Sequence, residues 1–195
     1  MAPRNNSTLN CIGIEDGPFL PKRLGGAKAP LVVVKLEGSH MTAVRTGWIQ
    51  VDGLDGTDQA LELLSSLAPI KWPILLGGAT FGGFNIIDPR TLQKRFRTPA
   101  IVVVVGSRPS NRAVKRALVR HFPDWKKRWS VINSLGPLHS VRTVAHENPI
   151  FFESFGCTSS IAREILKDWA LVSRMPEPLR VARLVSRGLF PQPLD

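Results

Sequence analysis

Residues 30–52 read PLVVVKLEGSHMTAVRTGWIQVD, and this stretch decides the class of fold. It contains two runs, residues 30–37 and 42–52, that are rich in β-branched and other apolar side chains, and each run predicts a β-strand. Because only the link Gly38-Ser39-His40 separates them, the two strands should form an antiparallel hairpin. A shorter apolar run at residues 10–14 predicts another strand, which precedes the hairpin.

After this hairpin the pattern changes to alternating strands and helices. Residues 73–77 and 99–105 are apolar runs bounded by turn residues, which is typical of strands buried on both faces of a sheet. Helices are predicted from an N-cap at Thr57, at residues 89–97 and 110–122, around Ile161, Ile165 and Trp169 after an apolar stretch at 150–155, and from Pro178 onwards. The expected architecture is therefore α/β, a mixed sheet in which N-terminal antiparallel strands are followed by parallel βαβ units, within a single domain spanning residues 1–195.

The composition is that of a globular protein without membrane spans. Of the 195 residues, 43% are hydrophobic and 21% are charged, which suits a buried core and argues against a disordered chain. No apolar run approaches the roughly 20 residues that cross a bilayer, and the first residues lack the apolar core of a secretory signal. The two cysteines, Cys11 and Cys157, are far apart and show no zinc-site spacing, so we expect reduced thiols and a cytoplasmic location.

Basic residues are concentrated in the C-terminal half of the chain. The net charge is +11, yet residues 1–88 hold 7 basic and 8 acidic side chains, whereas residues 89–195 hold 19 and 7. The span from Arg90 to Arg128 contains 12 of the basic residues and a single acid, Asp124. So uneven a distribution favours a polyanionic partner over a general effect on solubility. We therefore expect a nucleic acid as the partner, and DNA rather than RNA.

Carboxylates follow the predicted strands at glycine-rich turns. Glu15 and Asp16 come after the first strand, Asp52 and Asp55 after the third, and Asp88 lies beyond the fourth. Carboxylates that converge at one end of a sheet would form a hard-oxygen site for Mg²⁺ or Mn²⁺, ions that neutralise a phosphodiester and activate water. The predicted metal ligands and catalytic residues are therefore Glu15, Asp16, Asp55 and Asp88. Taken alone, each acid could instead be a turn residue or a helix cap.

Other catalytic chemistries find no motif in the chain. The glycine pairs Gly77-Gly78 and Gly82-Gly83 are not part of the phosphate-binding pattern of a P-loop. The chain has no Gly-x-Ser-x-Gly, its four histidines lack metal-ligand spacing, and it contains no tyrosine. The absence of tyrosine excludes a tyrosine nucleophile, and the sequence gives little support to a P-loop nucleotidase or to a serine nucleophile at a strand–helix elbow.

Several basic segments are candidates for contacting phosphates. The predicted helix at residues 110–122 places three arginines on one face, where a polyanion would relieve their mutual repulsion. The segment WKKRW at residues 125–129 combines stacking side chains with cations. The last helix carries Arg180, Arg183 and Arg187 on one face, and Arg108 follows a buried strand at the sheet end that holds the acids. The predicted nucleic-acid contacts are Arg108, Arg112, Arg116, Arg120, Lys126, Lys127 and Arg180.

Two alternatives to these basic contacts remain open. The arginines of residues 110–122 could simply form the solvated face of a surface helix. The two tryptophans of residues 125–129 could pack beneath a loop instead of stacking on bases.

Five motifs, taken in order along the chain, resemble the archaeal endonuclease dU family, distant relatives of endonuclease V with a ribonuclease H-like fold. The motifs are GIEDGPF (residues 13–19), VDGLDGT (51–57), LGGATFGGFNIID (76–88), SRP (107–109) and PEPLRVA (176–182). An antiparallel meander with acids at strand ends is also the pattern of that fold. The resemblance implies a Mg²⁺-dependent endonuclease that acts on nucleic acid at deaminated bases.

The resemblance also maps individual acids. The first acid of the family falls on Glu15 or its neighbour Asp16, and the second falls on Asp55. Where endonuclease V has Asp-Gly after the fourth strand, this chain has Gly77-Gly78, and Asp88 lies further on. Because of this departure, a non-catalytic nucleic-acid-binding protein of the same fold is a second hypothesis. An enzyme acting on small phosphorylated metabolites is a third, although it leaves the basic C-terminal half unexplained.

Overall fold

The computed structural model contains the predicted hairpin within a sheet of seven strands. The structure describes residues 9–21, 24–106 and 110–190. Its strands are β1 (Asn10–Asp16), β2 (Lys28–Glu37), β3 (His40–Gln50), β4 (Ile74–Leu76), β5 (Thr80–Phe81), β6 (Asn85–Ile86), β7 (Ala100–Val104), β8 (His139–Val141) and β9 (Ile150–Phe155). The order across the large sheet is β3-β2-β1-β4-β7-β9-β8, while β5 and β6 form a small separate hairpin.

The strand directions confirm the predicted mixed sheet. β2 pairs antiparallel with both β1 and β3, whereas β1, β4 and β7 run parallel to one another. β9 runs antiparallel to β7 and pairs with β8, so the parallel part of the sheet is limited to its centre. Because β3 points the same way as β1, the carboxyl ends of β1, β3, β4 and β7 lie together. We call this border the carboxyl edge of the sheet.

Helices cover both faces of the sheet. They are α1 (Gly56–Ser65), α2 (Pro89–Phe96), α3 (Asn111–His121), α4 (Trp125–Asn133), α5 (Ser159–Asp168) and α6 (Glu177–Leu189). One face packs on α1 and α2, and the other packs on α5 and α6. Helices α3 and α4 pack on Phe84 and Ile86 of the small hairpin, beside the carboxyl edge. Within the described ranges, no helix combines the length and the apolar character needed to cross a membrane.

Helix α6 lies directly on β1 because Gly13 has no side chain. A Cβ at Gly13 would clash with the carbonyl of Pro178 and lie 2.9 Å from the backbone nitrogen of Leu179. Further along the helix, the buried Ser186 donates its hydroxyl to the carbonyl oxygen of Asp16 at 3.3 Å. The last helix of the chain is thereby fixed along the strand that ends in Glu15 and Asp16.

A few elements differ from the sequence prediction for local reasons. Helix α1 begins one residue before Thr57, whose hydroxyl donates to the carbonyl of Ile86 and accepts from the amide of Asp88. The strands β5, β6 and β8 are not predicted, since two or three residues are too few to show a period. Nor is α4 predicted as a helix, although Trp125, Trp129 and Ile132 have helical spacing, because the aromatic and basic residues at its start are interpreted as a nucleic-acid contact.

Candidate functional site

Glu15 is the buried acid at the carboxyl edge. It is the penultimate residue of β1, and only 3% of its surface is exposed. Its Oε1 accepts a hydrogen bond from Nη2 of Arg183 on α6 at 2.9 Å. Burial raises the pKa of this carboxyl to about 8, because the loss of hydration outweighs the opposing field of Arg183. Glu15 therefore changes its charge close to neutral pH.

Gly77 leaves the space that the carboxyl of Glu15 occupies. Gly77 follows β4, the neighbour of β1, and its backbone N–H donates to the carbonyl of Ile14 at 3.0 Å. A Cβ at residue 77 would lie 2.5 Å from Oε2 of Glu15 and nearer still to its carboxyl carbon. Any side chain there would displace the carboxyl. The Glu15 carboxyl can therefore occupy its observed position only because residue 77 is glycine.

Asp16 lies beside Glu15 and lines an open cavity of about 760 Å³. Its Oδ2 accepts a hydrogen bond from the backbone N–H of Gly82 at 2.7 Å. Burial raises the pKa of Asp16, and this hydrogen bond partly offsets the effect. The cavity, which we call the acidic cavity, is lined by Glu15, Asp16, Gly17, Pro18, Phe19, Arg183 and Arg187. Two adjacent carboxylates and two guanidinium groups therefore face the same space.

Asp55 is engaged in a hydrogen-bond network with Asn85. The Nδ2 of Asn85 donates to Oδ1 of Asp55 at 2.6 Å, and the backbone N–H of Gln50 donates to the same oxygen at 3.1 Å. The Asn85 side chain also donates to the carbonyl of Gln50 and accepts from the N–H of Gly56. Asp55 occupies the N-cap position of α1, but its side chain makes no capping bond. It closes the turn between β3 and α1.

Asp88 caps helix α2. Its Oδ1 accepts from the backbone N–H of Arg90 at 3.0 Å, and its Oδ2 accepts from the hydroxyl of Thr91 at 2.8 Å. Across the residues that the structure describes, no three His, Cys, Asp or Glu side chains are arranged to hold a metal ion. The predicted set of four ligands is thus not assembled: Glu15 and Asp16 lie together, whereas hydrogen bonds hold Asp55 and Asp88 at the starts of α1 and α2.

The predicted nucleic-acid contacts differ in their availability. The three arginines of α3 and the first two lysines of α4 are exposed, namely Arg112, Arg116, Arg120, Lys126 and Lys127. The α3 arginines also line a shallow cavity of about 430 Å³. Arg108 lies outside the described residues. The exposed cationic face of α3 and α4 thus remains a candidate for phosphate contacts.

Arg180 is committed to an ion pair within α6. Its Nη2 and Nε donate to the two carboxylate oxygens of Glu177 at 2.6 and 2.7 Å. This pairing raises the pKa of the Arg180 guanidinium. Because Glu177 pairs with its charge, a phosphate contact of Arg180 would compete with this ion pair, and the contact stays a prediction.

The tryptophans of the WKKRW segment pack on protein. Trp125 and Trp129 are half-buried and lie against the apolar cluster that contains Ile86 and Leu118. The Nζ of Lys115 lies 5.4 Å from the centre of the Trp129 ring. Of the two interpretations of this segment, the structure supports packed tryptophans over a stacking platform for bases.

Arg128, from the same segment, ties α4 to the carboxyl edge. Its guanidinium donates to the carbonyls of Asp52, Gly53 and Phe84 at 2.9, 2.8 and 2.6 Å. It also pairs with Asp124 at 3.0 Å, and this hydrogen bond lowers the pKa of Asp124. The side chain of Arg128 is buried, so its charge serves the fold and does not meet solvent.

A second cavity, of about 700 Å³, adjoins the acidic cavity and shares Phe19 with it. We call it the aromatic cavity, because Phe84 and Phe122 meet edge to face in its wall at a ring distance of 5.4 Å. Asp52 also lines it, with φ of 55°, a conformation that costs energy in a residue other than glycine. The amide of Phe84 donates to Oδ1 of Asp52 at 2.9 Å and holds this strained residue in place.

Arg183, Arg187 and Asn85 are not among the predicted site residues, although Arg183 and Arg187 share a helix face with Arg180. Helical spacing does place the two arginines on one face, but only the contact of α6 with β1 shows that they face acids. Asn85 has no local signal, because its partners Gln50 and Asp55 lie far away in the sequence.

Sequence comparison finds relatives over nearly the whole chain. The profile of a protein family described as Endonuclease dU matches residues 7–190. A protein from Methanothermobacter thermautotrophicus, named UPF0215 protein, is 33% identical over 185 residues, which cover 94% of this chain and 88% of that protein.

Solved structures share the fold. A protein of unknown function from Archaeoglobus fulgidus superposes with a TM-score of 0.80 at 26% identity, covering 95% of this chain and all of that one. Endonuclease V from Ciona intestinalis, crystallised with a 24mer DNA containing an inosine followed by a ribo-adenosine, has a TM-score of 0.63 at 18% identity over 95% of this chain and 87% of that one. The mixed sheet is accordingly of the ribonuclease H-like type, as predicted.

Proposed function

Because the chain belongs to the endonuclease dU family, we propose that it is a divalent-metal-dependent endonuclease that cuts DNA at deaminated bases, of the deoxyuridine or inosine type. The observation that carries this proposal is the pair Glu15–Asp16, which faces two arginines in an open cavity at the carboxyl edge. Ligands of sheets with parallel strands characteristically bind at this edge. Such an activity would serve DNA repair.

Glu15 and Asp16 fit a magnesium or manganese ion. Mg²⁺ is commonly held by one or two carboxylates together with water and substrate phosphates. Gly77 leaves space for the carboxyl of Glu15, and the amide of Gly82 orients the carboxylate of Asp16. When bound there, the ion would neutralise the phosphodiester and supply an activated water.

The protein's own cations would hold the DNA strand. Helix α3 presents an exposed row of arginines, and Arg128 fixes the adjoining α4 to the loop after β3 and to the turn between β5 and β6. In the hydrolysis, the water oxygen bonds to phosphorus, the bond to the leaving sugar oxygen breaks, and that oxygen takes up a proton. The rigid link through Arg128 would keep the bound strand in register with Glu15 and Asp16.

The aromatic cavity is the proposed site for the damaged base. Enzymes that act on a base extrude it from the helix and stack it between aromatic side chains. Phe19, Phe84 and Phe122 supply such walls here. The carboxylate of Asp52 supplies a hydrogen-bond acceptor. Uracil and hypoxanthine carry an N–H on the ring nitrogen that is unprotonated in cytosine and adenine, so an acceptor in this cavity favours the deaminated base over the base from which it formed.

A nicking assay tests the proposed function. Oligonucleotides with one deoxyuridine or deoxyinosine, and their undamaged counterparts, are incubated with Mg²⁺, Mn²⁺ or EDTA. We expect metal-dependent nicking of the damaged strands and a loss on the order of 100-fold in Asp16→Asn. Asp58→Asn, which removes an exposed acid from α1, should cut like the wild type. Cutting that persists in EDTA, or that is equally fast on the damaged and undamaged oligonucleotides, contradicts the proposal.

A non-catalytic nucleic-acid-binding protein is the second candidate. It is favoured by the hydrogen bonds that occupy Asp55 and Asp88, two acids expected to take part in metal binding. In that case the same oligonucleotides bind with a steep salt dependence, and no metal ion supports cutting.

A further inference from the structure

The hydrolysis outlined for Glu15 and Asp16 leaves two arginines of α6 without a role. Arg183 and Arg187 lie about one helical turn apart, and both line the acidic cavity. We propose that this arginine pair binds the phosphate that is cut, and that Arg183 does so through the N–H donors that Glu15 does not take. The inference rests on the proposed function, because it assigns the phosphate subsite of the same cavity.

The turn that carries the pair is fixed against the acids. Ser186 lies between the two arginines in the sequence and donates to the carbonyl of Asp16 at 3.3 Å. A Cβ at Gly17 would lie 3.2 Å from Cβ of Ser186, so the chain passes closely beneath the helix here. The distance between the two arginines and the two carboxylates is therefore set by packing and does not depend on a mobile loop.

Arg183 bridges the buried acid and the open cavity. Its Nη2 bonds to Oε1 of Glu15 at 2.9 Å, yet 40% of the Arg183 side chain is exposed, compared with 4% for Glu15. A guanidinium has five N–H donors, and this is the single hydrogen bond that the Arg183 guanidinium makes to the part of the chain that the structure describes. Donors are thus left for an anion that enters the cavity.

With respect to the described residues, Arg187 has more free N–H donors for an anion than Arg183 has. It is exposed and makes no hydrogen bond or ion pair with any residue in the described ranges. It lines the acidic cavity together with Glu15 and Asp16. A guanidinium that faces the same cavity as two carboxylates without bonding to them is placed to receive a third group.

Arg180, on the same helix, shows what a purely structural arginine looks like here. Its guanidinium gives two short hydrogen bonds to Glu177, in a bidentate ion pair. The guanidinium of Arg183 gives one hydrogen bond, to Glu15, that of Arg187 gives none within the described residues, and both face the acidic cavity. Guanidinium groups bind phosphate oxygens through paired, charge-assisted hydrogen bonds, so a phosphodiester is the anion that matches this pair.

A double-mutant cycle between protein and DNA separates phosphate binding from a structural role as counter-ion of Glu15. The DNA is a deoxyuridine oligonucleotide with one neutral methylphosphonate, placed in turn at each phosphate flanking the lesion. Binding is measured by fluorescence anisotropy in EDTA, so no cutting is required. The proteins are the wild type, Arg183→Gln, Arg187→Gln and the control Arg163→Gln, which removes an arginine from α5, next to the edge strand β8.

We expect one methylphosphonate position to weaken binding of the wild type and of Arg163→Gln by about tenfold, but to have little effect on Arg183→Gln and Arg187→Gln. The slope of log affinity against log salt should also fall by about one in Arg187→Gln. The inference is overturned if the losses of binding free energy caused by the arginine substitution and by the methylphosphonate simply add at every position. It is also overturned if no methylphosphonate weakens binding of the wild type.

Two features keep this test decisive. Arg187 is exposed and unbonded to the described residues, so Arg187→Gln should fold even where Arg183→Gln does not, which a melting curve checks. If the protein binds DNA with the expected coupling but never cuts it, the proposed function fails while the phosphate subsite stands.

Discussion

At the scale of single residues, Glu15 and Gly77 act as one unit. β1 and β4 are neighbours, and Ile14 pairs with Leu76, so Glu15 lies beside Gly77. The side chain of Glu15 is long enough to reach across the end of β4. A carboxyl group therefore fills the space beside this strand end, although residue 77 carries none. At the end of β4, where the resemblance to endonuclease V leads us to expect an aspartate, the nearest carboxyl is thus that of Glu15 on β1.

Gly77→Ala should disrupt this unit. The added methyl group overlaps the carboxyl of Glu15, which must move or force the strand ends apart. We expect a loss of about 1–3 kcal/mol in the free energy of unfolding, and a loss of nicking activity. Urea unfolding and the nicking assay measure the two effects. Gly188→Ala is the matched control, because nothing lies within 4 Å of its added Cβ, and it should leave stability unchanged or higher. A Gly77→Ala protein as stable and active as the wild type contradicts this account of Glu15.

Glu15 should make the protein less stable as the pH rises towards 8. Its pKa is raised from 4.5 to about 8, so in this range the unfolded chain has lost a proton that the folded chain keeps. The free energy of unfolding then falls with increasing pH, by at most about 1.4 kcal/mol per pH unit from this group. The Glu15→Gln protein has no ionisable group at residue 15 and should not show this pH-dependent loss of stability. Its free energy of unfolding, compared with that of the wild type at the same pH, should therefore increase between about pH 5 and pH 8. Urea unfolding in EDTA measures both proteins, and parallel pH curves contradict the assignment.

At the scale of elements, Arg128 links the cationic helices to the acidic edge. It is 4% exposed and holds the loop after β3, the turn of the small hairpin and the start of α4 together. Three backbone carbonyls and one carboxylate share this single donor group. Because α3 packs against α4, the buried Arg128 also helps to position the exposed arginines of α3.

Arg128→Met should loosen this junction. It leaves the carbonyls of Asp52, Gly53 and Phe84 without their donor, and we expect a loss of about 3 kcal/mol in the free energy of unfolding. Hydrogen exchange of the amides in residues 51–56 and 84–86 should become faster. Lys126→Met, an exposed change two residues away, is the control for the loss of charge. Equal exchange rates in the two variants would show that Arg128 does not hold the junction.

The elements also show how far sequence reasoning reaches. The strands β2 and β7 are predictable because their apolar runs are long enough to require burial. The capping role of Asp88 has a local signal in the following Pro89, which is a typical first helical residue. The bonds from Asn85 to Asp55 have none, because they depend on a hairpin whose strands have two residues each.

At the scale of the whole molecule, the fold brings acidic residues of the N-terminal half next to basic residues of the C-terminal half. The N-terminal half supplies Glu15 and Asp16, and the last helix brings Arg183 and Arg187 to them. Composition predicts a polyanionic partner, but it does not predict which arginines face the acids. That pairing follows from the glycine at residue 13, which lets α6 lie on β1.

The position of bound Mn²⁺ tests the central claim, that Glu15 and Asp16 form the metal-dependent centre. Crystals grown with a deoxyuridine oligonucleotide and Mn²⁺ would give anomalous scattering from the ion. We predict a peak within coordination distance of the Glu15 and Asp16 carboxylates, and its loss in Asp16→Asn. A peak at Asp55 or Asp88 instead, or an empty acidic cavity at saturating Mn²⁺, would contradict the account.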